Sequence, residues 1–235
     1  MTEEFENFGN DDFSAVEFSE NPDPRCPMVV VLDCSDSMVE VRPGEDRSPL
    51  DALNGSLDIL VTELNKDPLA KRRAEVSFVA YGTDVAPATD FKTVDQLILP
   101  NLSRMGVTST GSALVEALDA LEERKNEYKA NGIEYLRPIM MLITDGLQTD
   151  DTSEAKRRLA EAHEKKKASF FAVGVEGADM DALAELSPRS PIKLKGVKFE
   201  EMFQWLSASA ASASASQPDQ DKIAIEKPGD DWAEL

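Results

Sequence analysis

The sequence has little of what many catalytic and disulfide-stabilised proteins use. Only two cysteines, Cys26 and Cys34, and one histidine, His163, occur among its 235 residues. Two cysteines are too few for a disulfide framework and are ordinary for a reducing compartment. His163 lies between Glu161 and Glu164 on a charged, helix-like stretch, so we expect it to face solvent. This argues against a Ser-His-Asp hydrolase.

Long apolar runs and excess basic charge are also missing. Nowhere does the chain offer the roughly 18 or more apolar residues that cross a bilayer, and its first residues lack the basic start and apolar run of a signal peptide. Lys and Arg total 25 against 45 Asp and Glu, a formal net charge of −20. Such a field repels a phosphate backbone and an anionic membrane. We therefore expect a cytoplasmic protein that binds neither nucleic acid nor membrane.

The negative charge is concentrated at the two ends of the chain. Residues 1–25 combine acids with polar residues and too few apolar ones to fold alone, so they are predicted to be an acidic disordered arm. An Ala/Ser tract over 207–216 predicts a linker, which makes 208–235 a linker and acidic tail. Trp232 in this tail is either a short anchor motif or an incidental aromatic. Residues 26–207 remain as a single domain.

The apolar pattern of this domain predicts its fold class. Short apolar runs at 28–32, 138–144 and 169–175 are typical of strands buried on both faces, and leucines spaced by three and four over 50–64 predict a helix. Further helices are expected at 180–186 and 199–206, a short strand at 192–194 and an antiparallel edge hairpin at 85–89. Alternating strands and helices predict a doubly wound, mostly parallel α/β sheet with helices on both faces.

Three polar loops follow these predicted strands or open a helix. Their sequences are DCSDS at 33–37, GVTSTG at 106–111 and TDG at 144–146. Ligands of open parallel sheets bind beyond the carboxyl ends of the strands, where such loops meet. The loops offer oxygen donors and few soft ones, and oxygen-only ligation suits a hard cation.

The three motifs resemble the metal-ion-dependent adhesion site of von Willebrand factor A domains. The matching motifs are Asp-x-Ser-x-Ser after the first strand, Thr in a Gly-x-Thr loop, and Asp-Gly after a middle strand. The resemblance extends from residue 28 to about residue 206. The TDG at 144–146 with TDD at 149–151, and the WLS at 205–207, resemble bacterial TerY-like members. That subfamily is associated with tellurium resistance and stress response.

The resemblance implies a specific ligand set for Mg²⁺, with Mn²⁺ or Ca²⁺ as substitutes. Ser35 and Ser37 would coordinate directly, Thr108 directly or through water, and Asp33 and Asp145 largely through water. Because hydroxyls are neutral, the ion keeps net positive character and an exchangeable position. It would therefore attract an Asp or Glu side chain of a partner protein, even on an acidic protein, since the ion reverses the local field.

Two residues depart from the commonest form of the first loop. Asp36 stands where a glycine is often found, and it either adds an outer carboxylate or caps the turn by an Asx hydrogen bond. Its charge would weaken carboxylate capture. Cys34 is predicted to be a small loop residue, because Arg42 lies two residues too far along for a cysteine-phosphatase loop.

Two classes of function fit these residues. The first, which we favour, is a non-catalytic scaffold that captures a partner carboxylate, with the associated kinases and phosphatases that the TerY-like resemblance implies. The alternative is a Mg²⁺-dependent phosphohydrolase or phosphotransferase with Asp33 as nucleophile. Haloacid-dehalogenase-like phosphatases carry a second aspartate two residues later, and here that position is Ser35.

A hypothesis on regulation concerns the acidic tail. Asp230, Asp231 or Glu234 would occupy the open coordination position of the metal, within the same chain or in a neighbouring molecule, and compete with the partner.

Overall fold

The protein forms one mixed seven-stranded sheet between two layers of helices in a computed structural model that describes residues 21–146, 149–215 and 227–234. The strand order is β3-β2-β1-β4-β5-β6-β7. Neighbours among β1, β2, β4, β5 and β6 are parallel, whereas β3 and β7 add antiparallel edges. The strands are β1 (Cys26–Asp33), β2 (Ala74–Tyr81), β3 (Lys92–Thr93), β4 (Ile139–Thr144), β5 (Ser169–Gly174), β6 (Ile192–Leu194) and β7 (Ala233–Glu234). The predicted α/β fold class is confirmed.

Helices cover both faces of the sheet because its central strands are apolar on both sides. Along β1, Met28 and Val30 pack with α1 and α6, while Val29 and Val31 face α3 and α4. A 3-10 helix at Asp36–Val39 follows β1. The α-helices are α1 (Pro49–Lys66), α2 (Pro68–Arg73), α3 (Thr110–Ala130), α4 (Ser153–Glu164), α5 (Met180–Leu186) and α6 (Phe199–Ser214).

The edge beyond β2 differs from the predicted hairpin. The segment 85–89 lies against β2 through an isolated antiparallel bridge, Tyr81 to Val85, and through hydrogen bonds from the Ala86 and Thr89 N–H groups to β2 carbonyls, but it forms no continuous strand. The paired edge strand is β3. Pro87 interrupts the segment and has no N–H to donate, which prevents a continuous ladder there.

The Ala/Ser tract is helical, so the predicted linker is corrected for 208–214. Helix α6 continues to Ser214 and buries Ala210 and Ala213 completely. Alanine has the highest helix propensity, and its small side chain lets α6 lie close against α1. Ser207 donates its hydroxyl to the Phe203 carbonyl one turn earlier (2.8 Å), which satisfies a buried polar group inside the helix. Residues 216–226 of the predicted tail lie outside the described residues.

Both ends of the described chain are bound to the domain. Most of the predicted arm, 1–20, lies outside the described residues, but Arg25 is 1% exposed and its Nε donates to Glu75 (2.7 Å). Arg124 and Tyr128 bind the same carboxylate, so the buried charge is compensated. At the other end, Trp232 is only 4% exposed, which agrees with the anchor interpretation. Among the described residues, no helix has the length and apolarity to cross a membrane.

Candidate metal centre

The hydroxyl and carboxylate groups of the first and third loops meet at the carboxyl ends of β1 and β4. The Ser35 and Ser37 hydroxyl oxygens lie 3.2 Å apart, and the Ser37 hydroxyl donates to Asp145 Oδ1 (2.7 Å). Because β1 and β4 are adjacent and parallel, the residues that follow them emerge side by side. Two loops 108 residues apart in the sequence therefore share one cluster of oxygen atoms.

Asp33 lies at the base of this cluster with no solvent exposure. Its Oδ1 accepts the Ser35 backbone N–H (2.8 Å) and its Oδ2 accepts the Thr144 hydroxyl (2.5 Å). Burial raises the pKa of Asp33, although the hydrogen bonds from Ser35, Thr144 and Tyr81 oppose the rise. Burial is also the main cause of the raised pKa of Asp145, and the nearby Asp33 charge adds to it. A cation beside the two carboxylates would relieve this repulsion.

Thr108 lies beside Gly146 of the third loop, in a tightly packed second loop. A Cβ on Gly146 would lie 3.0 Å from the Thr108 hydroxyl oxygen. A larger residue at position 146 would therefore crowd this hydroxyl. The Thr108 carbonyl accepts both the backbone N–H (3.0 Å) and the hydroxyl (2.8 Å) of Thr149. Gly106 has a φ of 87°, and a Cβ there would lie 2.2 Å from the Thr83 hydroxyl. The loop conformation thus requires glycine.

Asp150 connects the second and third loops. It accepts the backbone N–H groups of Gly111 (2.9 Å) and Ser112 (2.8 Å) and the Ser112 hydroxyl (2.9 Å). The residue at the N-cap of α3, Ser109, makes no side-chain capping bond of its own. Asp150 therefore caps α3 from a distant loop, a role that its sequence position alone does not reveal.

Arg42 was not predicted to belong to the site. Its Nη2 forms a short ion pair with Asp145 Oδ2, the oxygen that does not accept the Ser37 hydroxyl. The Arg42 side chain is 19% exposed, and its Nη1 is buried with no hydrogen-bond partner among the described residues. The chain itself thus supplies a cation for a buried carboxylate, and any metal bound there must compete with it.

The two departures in the first loop have different outcomes. The Asp36 carboxylate forms two hydrogen bonds with the exposed Arg104 guanidinium (2.6 and 2.7 Å), a partner that the sequence did not predict. The same pair lowers the pKa of Asp36. Cys34 is buried, and burial raises the pKa of its thiol to about 12. It therefore lacks the exposed thiolate of a catalytic cysteine.

The donor set of the cluster is chemically suited to a hard divalent cation. It combines the hydroxyls of Ser35 and Ser37 with the carboxylates of Asp33 and Asp145, and Mg²⁺ accepts such donors while keeping several waters. Within the described ranges, no group of three or more His, Cys, Asp or Glu side chains is arranged to hold a metal ion. A metal at this position would consequently depend on Ser35, Ser37 and Thr108 as well as on the carboxylates.

Several solved structures share this fold at low sequence identity. The pilus adhesin SpaC from Lactobacillus rhamnosus GG has a TM-score of 0.62 and 14% identity, and the match covers 82% of this chain and 32% of that one. The von Willebrand factor domain of the type V pili tip protein Mfa5 from Porphyromonas gingivalis has a TM-score of 0.57 and 10% identity, over 85% and 99% of the two chains. Proximal thread matrix protein 1 from the mussel byssus has a TM-score of 0.53 and 16% identity, over 81% and 49%.

These likenesses concern the fold, and two of the three proteins are far longer than the match. The chain spans about half of the mussel protein and about a third of SpaC. No curated protein has a sequence that matches the chain. The sequence pattern of the von Willebrand factor type A domain matches residues 28–220, most of the chain. The chain therefore belongs to the von Willebrand factor type A domain family.

Proposed function

We propose that the protein is a binding module that holds a divalent cation, Mg²⁺ in the first instance, and uses it to capture an Asp or Glu side chain of a partner protein. Asp33, Ser35, Ser37, Thr108 and Asp145 would hold the ion. The observation that carries the proposal is the hydrogen-bonded contact of Ser35, Ser37 and Asp145 between two separate loops. Family membership supports it, because domains of this type are commonly protein-binding modules.

Charge explains why such a site would select a carboxylate. Three of the five donors are neutral, so the ion would keep part of its positive charge. Asp36, the additional acid of the loop, is paired with Arg104 and adds little net negative charge nearby. The surroundings thus favour an external carboxylate over the phosphate backbone of a nucleic acid, which the net charge of −20 repels.

Two exposed apolar side chains are adjacent in sequence to residues of the first and second loops. Val41 is 59% exposed and precedes Arg42, and Val107 is 53% exposed and precedes Thr108. Isolated surface valines are ordinary, but these two flank the residues of one cluster. They would provide an apolar rim against which a partner packs while its carboxylate binds the ion.

The enzymatic alternative is disfavoured by the surroundings of Asp33. A nucleophile must reach its substrate, whereas Asp33 has no solvent exposure and both of its carboxylate oxygens accept hydrogen bonds. A panel of phosphoesters with Mg²⁺ tests the alternative directly. Turnover that Asp33→Asn abolishes would favour an enzyme.

The finer assignment is to a TerY-like role in a cytoplasmic stress-response or signalling complex with kinases or phosphatases. It depends on the resemblance of the TDG, TDD and WLS motifs. The described TDD residues are used in the site, since Thr149 binds the Thr108 carbonyl and Asp150 caps α3. Identification of captured partners tests this assignment.

The decisive experiment measures metal uptake and partner capture together. The full-length protein should bind Mg²⁺ or Mn²⁺ in calorimetry and should retain partners from native lysate that a chelator releases. The double variant Ser35→Ala with Ser37→Ala keeps the net charge and should lose both properties, while Ser103→Ala on a neighbouring exposed loop should keep both. Val107→Ser should retain metal and lose partner. Absence of metal uptake by the wild-type protein would refute the proposal.

A further inference from the structure

The last described segment, 227–234, packs against the domain although it lies beyond the region matched by the family. The family match ends at residue 220. Trp232 is 4% exposed, and its ring lies 5.8 Å from that of Trp205 on α6. Trp205 in turn makes an edge-to-face contact with Phe171 of β5 at 5.3 Å. A large aromatic side chain buried in this way is typical of the anchor of a peptide ligand.

The backbone of the same segment extends the sheet. β7 pairs antiparallel with β6, with Leu194 opposite Ala233 and Lys193 opposite Glu234. The Lys195 N–H also donates to the Trp232 carbonyl (2.9 Å). Addition of a short strand to a sheet edge, with one side chain in a pocket, is a general mode of peptide recognition.

Charge complementarity accompanies these contacts. The stretch IKLKGVK at 192–198 carries three lysines and no acid in a chain of net charge −20, and the segment DDWAE at 230–234 carries three acids around its tryptophan. Lys193 lies 3.5 Å from the Glu234 carboxylate. Lys195 and Lys198 donate to the Asp230 and Asp231 carbonyls, at 2.6 and 2.7 Å.

The polar contacts are the exchangeable part of this interface. The side chains of Lys193 and Glu234 are about half exposed, at 49% and 56%, and exposed ion pairs of this kind are weak and screened by salt. Buried contact is concentrated in Trp232 and the neighbouring Ala233. A six-residue segment that is held mainly by one buried side chain can dissociate and be replaced by another peptide.

We propose that the edge of β6 and the lysines beside it, Lys193, Lys195 and Lys198, form with Trp205 of α6 a peptide-binding surface for an extended acidic segment with a central tryptophan. The chain's own residues 229–234 occupy it and act as an intramolecular competitor for a partner segment of the same chemistry. The surface is distinct from the candidate metal centre, because β5 lies between β6 and β4, the strand that Asp145 follows. This inference does not depend on the proposed function.

A fluorescent peptide of residues 227–235, KPGDDWAEL, tests the surface on full-length proteins. The Trp232→Ala protein should bind it saturably in fluorescence anisotropy. The wild type should bind at least about tenfold more weakly, because a tethered segment competes at an effective concentration on the order of millimolar. A peptide with alanine in place of tryptophan is the matched control and should not bind.

Two further variants separate recognition from a folding defect. Ala233→Pro removes the N–H that donates to the Gly229 carbonyl (3.1 Å) within the segment, so it should disturb the turn before β7 and weaken the docking of the segment without changing Trp232. This protein should therefore also bind the peptide. Lys195→Ala with Lys198→Ala, added to Trp232→Ala, should weaken peptide binding several-fold and flatten its salt dependence. If neither released protein binds the peptide while both keep the wild-type circular dichroism, or if the wild type binds it equally well, the proposal is overturned.

Discussion

Arg42 and Asp145 form an ion pair within the candidate centre. The Asp145 side chain has no solvent exposure, and its two oxygens are taken by Arg42 and by the Ser37 hydroxyl. A guanidinium and a divalent ion cannot both occupy the same side of one carboxylate oxygen. If the proposed site binds a metal, its affinity would therefore be the intrinsic affinity of the donors reduced by the stability of this ion pair.

Replacement of Arg42 should raise the affinity for metal and lower the stability of the metal-free protein. Arg42→Ala removes the competitor, and an increase in Mn²⁺ affinity on the order of tenfold corresponds to about 1.4 kcal/mol. In chelator the same change leaves Asp145 buried and unpaired, which should cost roughly 1–3 kcal/mol of unfolding free energy. Calorimetry and urea unfolding measure the two effects.

The matched control for this prediction is Arg104→Ala. The Arg104 ion pair with Asp36 is exposed, at 65% and 47% of the two side chains, so its loss should change stability by less than about 1 kcal/mol. Equal metal affinities of the Arg42→Ala protein and the wild type would show that the guanidinium does not compete.

The two thiols should be unreactive in the folded protein. Burial raises the pKa of both Cys26 and Cys34 to about 12, so both stay protonated at pH 8, and neither is accessible. Ellman's reagent should therefore detect no thiol in the native protein and two after denaturation. Rapid reaction of one thiol in the native protein would contradict the buried position of that cysteine. Native stability should also fall as the pH rises above about 9, because the unfolded thiols then ionise first.

Sequence patterns predicted the site residues that follow strands but missed those that act across loops. Asp33, Ser35 and Asp145 were found because parallel strands end at one edge of the sheet. Arg42 and Asp150 were missed because their partners lie 103 and 39 residues away, and no local pattern encodes such a distance. Their contacts depend on how the loops pack, which propensity and periodicity do not describe.

At the scale of elements, helix α3 depends on a cap from another loop. Asp150 accepts three hydrogen bonds from the first turn of this helix. That turn directly follows the loop that carries Thr108. Asp150→Ala should cost about 0.5–2 kcal/mol in urea unfolding, the usual range for a lost helix cap. Because the change loosens the Thr108 loop, it should also weaken metal binding.

Asp151→Ala is the matched control for the α3 cap. Asp151 accepts the Ser153 N–H (2.9 Å) at the start of α4, so its loss should lower stability without altering metal affinity. If both variants reduce metal affinity equally, the cap on α3 has no specific link to Thr108.

Helix α6 contains residues for which amino-acid composition gave a wrong prediction. The low-complexity composition of the Ala/Ser tract predicts a linker. In the protein, Ala210 and Ala213 are buried in the core cluster that α1 and α6 share. Tertiary packing against α1 and the helix propensity of alanine decide the outcome, and neither is visible from polarity alone.

At the scale of the whole molecule, the acidic tail and the metal centre are separated. The hypothesis that Asp230, Asp231 or Glu234 occupies the metal position is not supported, since the described tail docks on β6 through Trp232 and β7. β5 and β6 lie between this tail and β4. Deletion of the tail should therefore leave metal affinity unchanged.

The net charge of −20 determines how metal binding must be demonstrated in the intact protein. Any divalent salt screens repulsion within such a chain, so a rise in melting temperature with Mg²⁺ does not by itself indicate a site. Specific binding stabilises the folded protein by about 2.7 kcal/mol when the free ion is 100 times its dissociation constant. Ser35→Ala with Ser37→Ala removes two proposed ligands without changing the charge, so both proteins should respond equally to NaCl of matched ionic strength. Only the wild type should show the additional Mg²⁺-dependent shift, and equal shifts would identify the effect as screening.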